Sequence, residues 1–429
     1  MGDMQYQEVI DYLFHVTPVF EHVGAAAYKP GLETTVALDE HYGQPHRSFQ
    51  CIHVAGTNGK GSVSHSLASI LQTAGMRVGL YTSPHLVDFR ERVRVNGIPM
   101  SEQYVVDFTE DFIAWNQKRE KPLSPSFFEL TTAMAFRYFA DQHVDIAVVE
   151  VGLGGRLDCT NIITPILSII TNIAFDHTQM LGNTLALIAG EKAGIIKKNV
   201  PVIIGETTKE TKPVFEAKAN DMDAPILFAE EQDSLSALPD FKLTGFELKG
   251  SYQQNNLRTI LCAVVQLRSL LPGNMQVKDL DAIVRYGLTH VCETTGLKGR
   301  WQTVREKPLV ICDTGHNPAA WTYLAPQIKR QPCRTLRIVF GMVDDKDIES
   351  IMTMLPPKAV YYFTQADNHR SIPAEQVAAL AVRHVLKGDT YKTVGEAYHA
   401  ALACSHEDDF IFVGGSSYVV ADFLSAYEK

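Results

Sequence analysis

An α/β fold in two domains, each carried by a mostly parallel sheet, is predicted by three observations. Short, continuously apolar runs of strand character alternate with helical patterns along nearly the whole chain, which marks parallel sheets covered on both faces. A second such series begins near residue 300, beyond the small, glycine-containing stretch Thr294–Arg300. At 429 residues the chain also exceeds the length that one typical core accommodates. The division is placed at 296/297, giving a larger domain over residues 1–296 and a smaller one over 297–429.

In the first domain the candidate strands are Cys51–Ala55, Val78–Thr82, Ile146–Val151, Leu167–Thr171 and Val202–Gly205, with helical patterns such as Val63–Ala74 and Glu129–Ala140 between them. Arg90–Val95, Asn96-Gly97 and Ile98–Met100 form a candidate hairpin, because Asn-Gly suits a type I′ turn. In the second domain the strands are Leu309–Asp313, Leu336–Gly341, Val360–Phe363 and Phe410–Gly414. They are separated by helices Pro318–Lys329, Ala374–Arg383 and Val394–Ala403.

Composition limits the function classes. With 45% hydrophobic and 21% charged residues and mean hydropathy near zero, the chain is an ordinary globular protein. Thirty-nine basic against forty-nine acidic residues leave a charge of −10, which argues against non-specific nucleic-acid binding. Seven scattered cysteines without a C-x-x-C pair read as reduced thiols. The acid-containing N-terminus lacks a signal-peptide pattern. The most apolar region, Ile162–Phe175, is interrupted by Thr164, Pro165, Thr171 and Asn172 and falls short of the ~20 residues that a membrane span needs. A soluble, cytoplasmic protein without a membrane partner is expected.

The most telling segment runs from Ile52 to Ser62. A strand-like run ends in Gly56-Thr57-Asn58-Gly59-Lys60-Gly61-Ser62, and a helical pattern follows. Glycine-rich backbone turns N–H groups toward one anion, the helix N-terminus adds its dipole, and Lys60 adds a full charge. That is a site for nucleotide phosphates. It departs from the common G-x-x-x-x-G-K-[ST] loop, since Val54 stands where the first glycine would be and Gly61 separates Lys60 from Ser62.

Other polar residues fall at strand ends, where open parallel sheets collect ligands. Ser83 follows one strand. Glu150 ends another, and a carboxylate there needs a partner, either a magnesium ion or Arg156 or a lysine. His177 lies just beyond a third; magnesium prefers oxygen, so chemistry alone does not assign it to metal. Lys192 reads equally as a solvated lysine at a helix C-terminus. Arg300 and Asp313 form a second polar cluster, readable as contacts to phosphate and ribose or as a salt bridge beside a turn.

The segments HVAGTNGKGSV, YTSPHL with FRERVRVNG, SFFELTT, VVEVGLGGRLDCTN, TNIAFDHTQMLGNT, EKAGIIK, KGSYQQNN, KGRW and DTGHNP, in that order over residues 49–318, closely resemble the folylpolyglutamate synthase/dihydrofolate synthase family of the Mur ligase superfamily. The resemblance implies an N-terminal P-loop ATPase domain of Mur ligase type and a smaller Rossmann-like C-terminal domain. It implies ATP-dependent ligation of L-glutamate to dihydropteroate or to folates through an acyl phosphate, by an enzyme expected to act as a monomer. Carried onto this chain, Asn58, Gly59, Lys60, Gly61 and Ser62 look like the ATP phosphate loop. Ser83, Glu150 and His177 match the magnesium ligands, with two ions expected. Lys192 matches a lysine that is carbamylated in the superfamily. Asn256, Arg300, Asp313 and His316 match ATP contacts. Ser126, Phe127, Phe128 and Glu129, with Leu157, Asp158 and Cys159, match the pterin-side pocket, where Ser83 also borders the substrate.

Two departures stand out. Asp313-Thr314-Gly315-His316-Asn317 replaces the family's usual D-G/V-A-H-N, so an altered turn is expected, and Cys159 stands where alanine is usual. Two other readings were weighed. A Mur-type ligase acting on a UDP-linked precursor normally carries an additional N-terminal domain, for which the early phosphate loop leaves no room. A nucleotide-binding switch protein would not need Ser83, Glu150, His177 and Lys192.

Overall fold

The computed structural model describes residues 4–15, 31–232, 245–271, 273, 280–344 and 346–427. The chain divides into two units, Met1–Glu247 with Asn255–Gly296, and Leu248–Gln254 with Leu297–Lys429.

The first unit holds an eight-stranded sheet. Its strands are β1 Gln50–Ala55, β2 Val78–Tyr81, β3 Val93–Val95, β4 Ile98–Pro99, β5 Ile146–Glu150, β6 Leu167–Ile170, β7 Val202–Ile204 and β8 Ile226–Phe228, in spatial order β4-β3-β2-β5-β1-β6-β7-β8. All neighbours pair in parallel except β2–β3 and β3–β4. Five of the six β1 residues are buried, as a strand covered on both faces requires, and burying each large apolar side chain contributes about 1.5–3 kcal/mol. The chain leaves β1 toward β2 and β5 on one side and reaches β6 on the other. The C-terminal end of β1 is therefore the point where the winding reverses, and ligand crevices form at such points.

The expected Asn-Gly turn is present. Asn96 and Gly97 both have positive φ, 49° and 77°, as a type I′ turn demands, and they connect β3 to β4.

The second unit carries β9 Gln302–Glu306, β10 Leu309–Asp313, β11 Leu336–Phe340, β12 Val360–Phe363, β13 Lys387–Thr390 and β14 Phe410–Gly414, in order β13-β12-β11-β14-β10-β9. Only β9 runs antiparallel to its neighbour. Three strands here went unforeseen, β8, β9 and β13, and all three are sheet edges. An edge strand with an exposed face lacks the continuous apolar run that betrays a central one, and every residue of β13 is exposed. The stretch Thr294–Arg300 is also less loose than expected. Thr294 and Thr295 close helix Val291–Thr295, which Gly296 ends at φ 69°.

One buried charge cluster stitches the second sheet. Asp409, directly before β14, accepts hydrogen bonds from Arg337 Nε at 3.3 Å, Arg334 Nε at 3.2 Å and the His406 backbone N–H at 3.1 Å. Burial alone would raise its carboxyl, but these donors more than offset that and hold it below the ordinary carboxylate value. Its contribution is therefore complete above the ordinary carboxylate pKa and is lost as pH falls through the folded value. Asp409→Asn leaves Arg337 beside a neutral partner and should cost about 3 kcal/mol at pH 7. Thermal melts should show that difference shrinking as pH is lowered toward 3.

Candidate active site

The site grows from the end of β1. Helix Lys60–Thr73 begins directly after the loop, with Gly59 as its N-cap at φ 87°. Only glycine fits there: its φ disfavours L side chains, and a Cβ would strike the Asn256 carboxamide. The loop is tied to the next strand end. Thr171 Oγ1 donates to Asn58 O at 2.6 Å, the Thr57 N–H donates to Asn172 O at 2.9 Å, and the Asn58 N–H donates to Asn172 Oδ1 at 3.0 Å. The Asn58 amide is thus turned into the protein. The helix N-terminus at Lys60, Gly61 and Ser62 remains the positive end of the helix.

Two lysines meet at one oxygen. Lys60 Nζ donates to Gly56 O at 3.0 Å and to Thr57 O at 3.1 Å, and Lys192 Nζ donates to the same Gly56 O at 2.9 Å. Lys192 is no solvated lysine; it is 5% exposed, in helix Leu185–Ala193. Burial, then the repulsion of Lys60, pushes its ammonium down to about 7, while Asp176 and Asp158 pull the other way.

Glu150 ends β5 opposite Val54 of β1 and is buried. Ser83 follows β2, whose Tyr81 lies level with Val149. His177 sits in a left-handed turn (φ 49°) that starts the short helix Thr178–Leu181, and its N–H donates to Asp176 Oδ1 at 2.9 Å. Among the described residues no group of three or more His, Cys, Asp and Glu side chains is arranged to hold a metal. A carboxylate and a hydroxyl at neighbouring strand ends still suit magnesium, which takes few protein oxygens and fills its octahedron with water and phosphate.

Several of the residues expected to line a pterin-side pocket are hydrogen-bonded within their own loop or helix cap. Ser126 caps helix Phe127–Asp141, and Glu129 Oε2 accepts from the Ser126 N–H at 2.7 Å and Oγ at 2.8 Å, forming a capping box. Asp158 Oδ2 accepts from the Leu153 N–H at 2.8 Å, and Oδ1 accepts from the Thr160 N–H at 3.0 Å and the Thr160 hydroxyl. Both carboxylates therefore have partners inside the protein. The Cys159 thiol lies 2.9 Å from Thr132 Oγ1, and Leu157 is half-buried beside it. The aromatic pair keeps company that the sequence did not announce. The buried Arg92 guanidinium stands 4.9 Å from the Phe127 ring centroid and 5.7 Å from that of Phe128, and Arg92 Nε donates to His85 Nδ1 at 2.7 Å. Within β1, His53 is fully buried 2.9 Å from Thr160 Oγ1, and burial drives it down to about 3, so it stays neutral.

In the second unit Asp313 ends β10. Its Oδ2 accepts from Tyr252 OH and from the Trp301 N–H, both at 2.7 Å, and Oδ1 accepts from the Gly315 N–H at 2.8 Å. Arg300 Nη1 instead donates to Thr314 Oγ1 and to Gly299 O. The Thr314 hydroxyl, which glycine or valine at this place would lack, also donates to Gly299 O at 3.2 Å. His316 Nδ1 lies 3.1 Å from Thr314 O, and Asn317 caps helix Pro318–Arg330. Asn256 belongs to the first unit, against Gly59, whereas Arg300, Asp313 and His316 belong to the second.

Comparison with known proteins decides the family. Residues 54–279 match the Mur ligase middle domain and residues 299–417 the Mur ligase glutamate ligase domain. The dihydrofolate synthase/folylpolyglutamate synthase of Bacillus subtilis is 34% identical over 76% of this chain and 79% of its own length. The chain belongs to the folylpolyglutamate synthase/dihydrofolate synthase family. A probable bifunctional folylpolyglutamate synthase/dihydropteroate synthase of Haloferax volcanii is 32% identical over 99% of this chain, which spans about half (51%) of that protein. Among solved structures, E. coli FolC in complex with DHPP and ADP is 30% identical with a TM-score of 0.82, covering 99% of this chain and 98% of that one. A bifunctional folylpolyglutamate synthase/dihydrofolate synthase with Mn, AMPPNP and L-glutamate bound is 29% identical with a TM-score of 0.81 over 100% of both.

Sequence reasoning passed over Arg92, His85, Asn172, Glu206 and Tyr252. Asn172 carried a legible signal, a polar residue at a strand end; the others stand in loops or, for Arg92, in the short 3-10 helix Phe89–Arg92, and only folding supplies their partners.

The depressed Lys192 ammonium has a measurable consequence. The unfolded lysine binds its proton up to about pH 10.4, whereas the folded one releases it near 7, so this group makes stability rise with pH across that window. In CO2-free buffer, Lys192→Met should flatten the rise in Tm between pH 7 and 10. An unchanged slope would place Lys192 in solvent.

Proposed function

We propose that this chain is an ATP-dependent ligase that joins L-glutamate to dihydropteroate and to the γ-carboxylate of folates. The observation that carries this reading is the convergence of Lys60 and Lys192 on the Gly56 carbonyl, at the end of the central strand and beside the buried Glu150, in a chain of this family.

A carboxylate resists attack by an amine because its leaving group would be an oxide. Transfer of the γ-phosphoryl group of ATP to a carboxylate oxygen gives an acyl phosphate and ADP. The glutamate amine then attacks the acyl carbon, the C–O bond breaks with its electron pair leaving on phosphate, and the ammonium proton passes to solvent. Such phosphoryl transfer depends mainly on positioning and charge neutralisation. In this reading Lys60 and the N-terminus of helix Lys60–Thr73 hold the phosphates. Glu150 and Ser83, with His177, hold the divalent ions, two in number, which when bound neutralise phosphate charge and orient the acceptor carboxylate. Asn256, Arg300, Asp313 and His316 serve the nucleotide. Phe127 and Phe128 supply apolar faces for the flat pterin. Lys192, its ammonium brought down to about 7, would supply the free amine that adds to CO2, losing a proton, to become a carbamate, and an anion there would orient a metal that a cation would repel. No described helix is long and apolar enough to cross a membrane, and the enzyme is read as a cytoplasmic monomer.

The test is ATP-dependent incorporation of labelled glutamate, with dihydropteroate and tetrahydrofolate compared as acceptors. Lys60→Ala and Glu150→Gln should each reduce turnover by at least about 10²-fold, the scale for removing one pre-organised electrostatic group. Phosphate release that still responds to pteroate and glutamate in both variants would sink the proposal.

A further inference from the structure

The phosphate loop is braced by a residue outside the family motifs quoted above. Glu206 lies two residues beyond β7, and its N–H donates to Thr171 O at 3.0 Å, which sets it beside the end of β6. Its carboxylate is half-buried and takes two carboxamides. Asn172 Nδ2 donates to Oε1 at 3.3 Å, and Asn255 Nδ2 donates to Oε2 at 2.7 Å. Each asparagine leads to the nucleotide side. Asn172 Oδ1 accepts the Asn58 N–H at 3.0 Å. Asn255 is followed in helix Gln253–Leu270 by Asn256, whose carboxamide lies against Gly59.

We propose that Glu206 is a positioning residue for ATP, whose carboxylate fixes the direction of the Asn172 and Asn255 carboxamides and thereby braces the phosphate loop and the start of the helix beside it. The inference rests on the nucleotide-binding reading of that loop. Its logic is the asymmetry of the amide. A carboxylate only accepts hydrogen bonds, whereas a carboxamide has one accepting and one donating end. With Glu206 as acceptor, Asn172 must turn its NH2 group toward it, which leaves Oδ1 facing the Asn58 N–H. A turned-over Asn172 would set donor against donor at the loop, and a buried donor without an acceptor is strongly disfavoured. Burial raises the Glu206 carboxyl and Glu230 adds to that, while the two carboxamides lower it, with a small further lowering from Arg258.

The roles of charge and shape separate in two variants. Glu206→Gln keeps the shape but brings its own NH2 group, so it can hold Asn172 in its present direction only if Asn255 turns over. Glu206→Ala releases both. ATP affinity, measured by titration calorimetry, should fall about tenfold in Glu206→Ala and by less in Glu206→Gln, on the scale of one hydrogen bond to a charged group. The KM for ATP should rise in step, while kcat at saturating ATP and the KM for glutamate stay within about threefold. In a background already carrying Asn172→Ala, the Glu206→Ala change should have a clearly smaller effect than alone, because the two act through one link.

ATP affinity within about twofold of the parent in both variants would overturn the proposal, as would multiplicative effects in the double variant. A proportional loss in every kinetic constant that tracks a lowered folded fraction would also overturn it, by reducing Glu206 to a support for the fold. Should Glu206→Ala not fold, the isosteric Glu206→Gln carries the comparison. Failure of the parent itself to bind ATP would overturn the functional reading, an outcome separate from these.

Discussion

Two lysine side chains share one carbonyl oxygen, and the site is organised around that crowding. Lys60 and Lys192 both reach Gly56 O, where two full positive charges would repel at short range with little water between them. Coulomb repulsion at such distances amounts to several kcal/mol even at an effective dielectric of about 20. Burial, with that repulsion added to it, makes one of them hold its proton less tightly. Lys192 is buried and its ammonium is brought down to about 7. Lys192 thus holds its proton far less tightly than an ordinary lysine. The same oxygen sits at the end of β1, between the two halves of the sheet, so the crowding falls where the winding opens a crevice.

The acidic residues nearby divide by what surrounds them. Asp158 and Glu129 spend their oxygens on backbone N–H groups and hydroxyls within their own loop and helix cap. Each such bond to a charged acceptor contributes about 1.5–3 kcal/mol, which suits residues that hold their own loop and helix start in place. Asp313 does the same in the second unit, drawing in Tyr252, Trp301 and Gly315. Glu150 differs in place, since it lies at the end of a central strand level with Val54 of β1. Carboxylates of one chemical type therefore differ in their surroundings according to where the fold places them.

Legibility followed the same physical division. The central strands could be read because they are buried on both faces and so are apolar throughout; β8, β9 and β13 could not, because an edge strand escapes that demand. The loop Gly56–Ser62 was readable because phosphate binding requires backbone freedom next to a charge within a few residues. Lys192 was not, since a lysine near a helix end looks identical whether it faces water or a carbonyl 136 residues away. The Thr314 departure was visible as a letter change, but its bonds to Arg300 and Gly299 were not.

By itself the sequence determined the two α/β units, the order of their central strands along the chain, the Asn96-Gly97 turn and the glycine-rich turn after β1. All of these rest on local periodicity or on a conformation that few residue types adopt. Only the tertiary structure decided that Lys192 would be buried, which carboxylates find partners in their own loop or helix cap, and that Glu206 would bond two asparagines. Those outcomes depend on burial and on partners far apart in the chain, and neither is written in any one stretch of sequence.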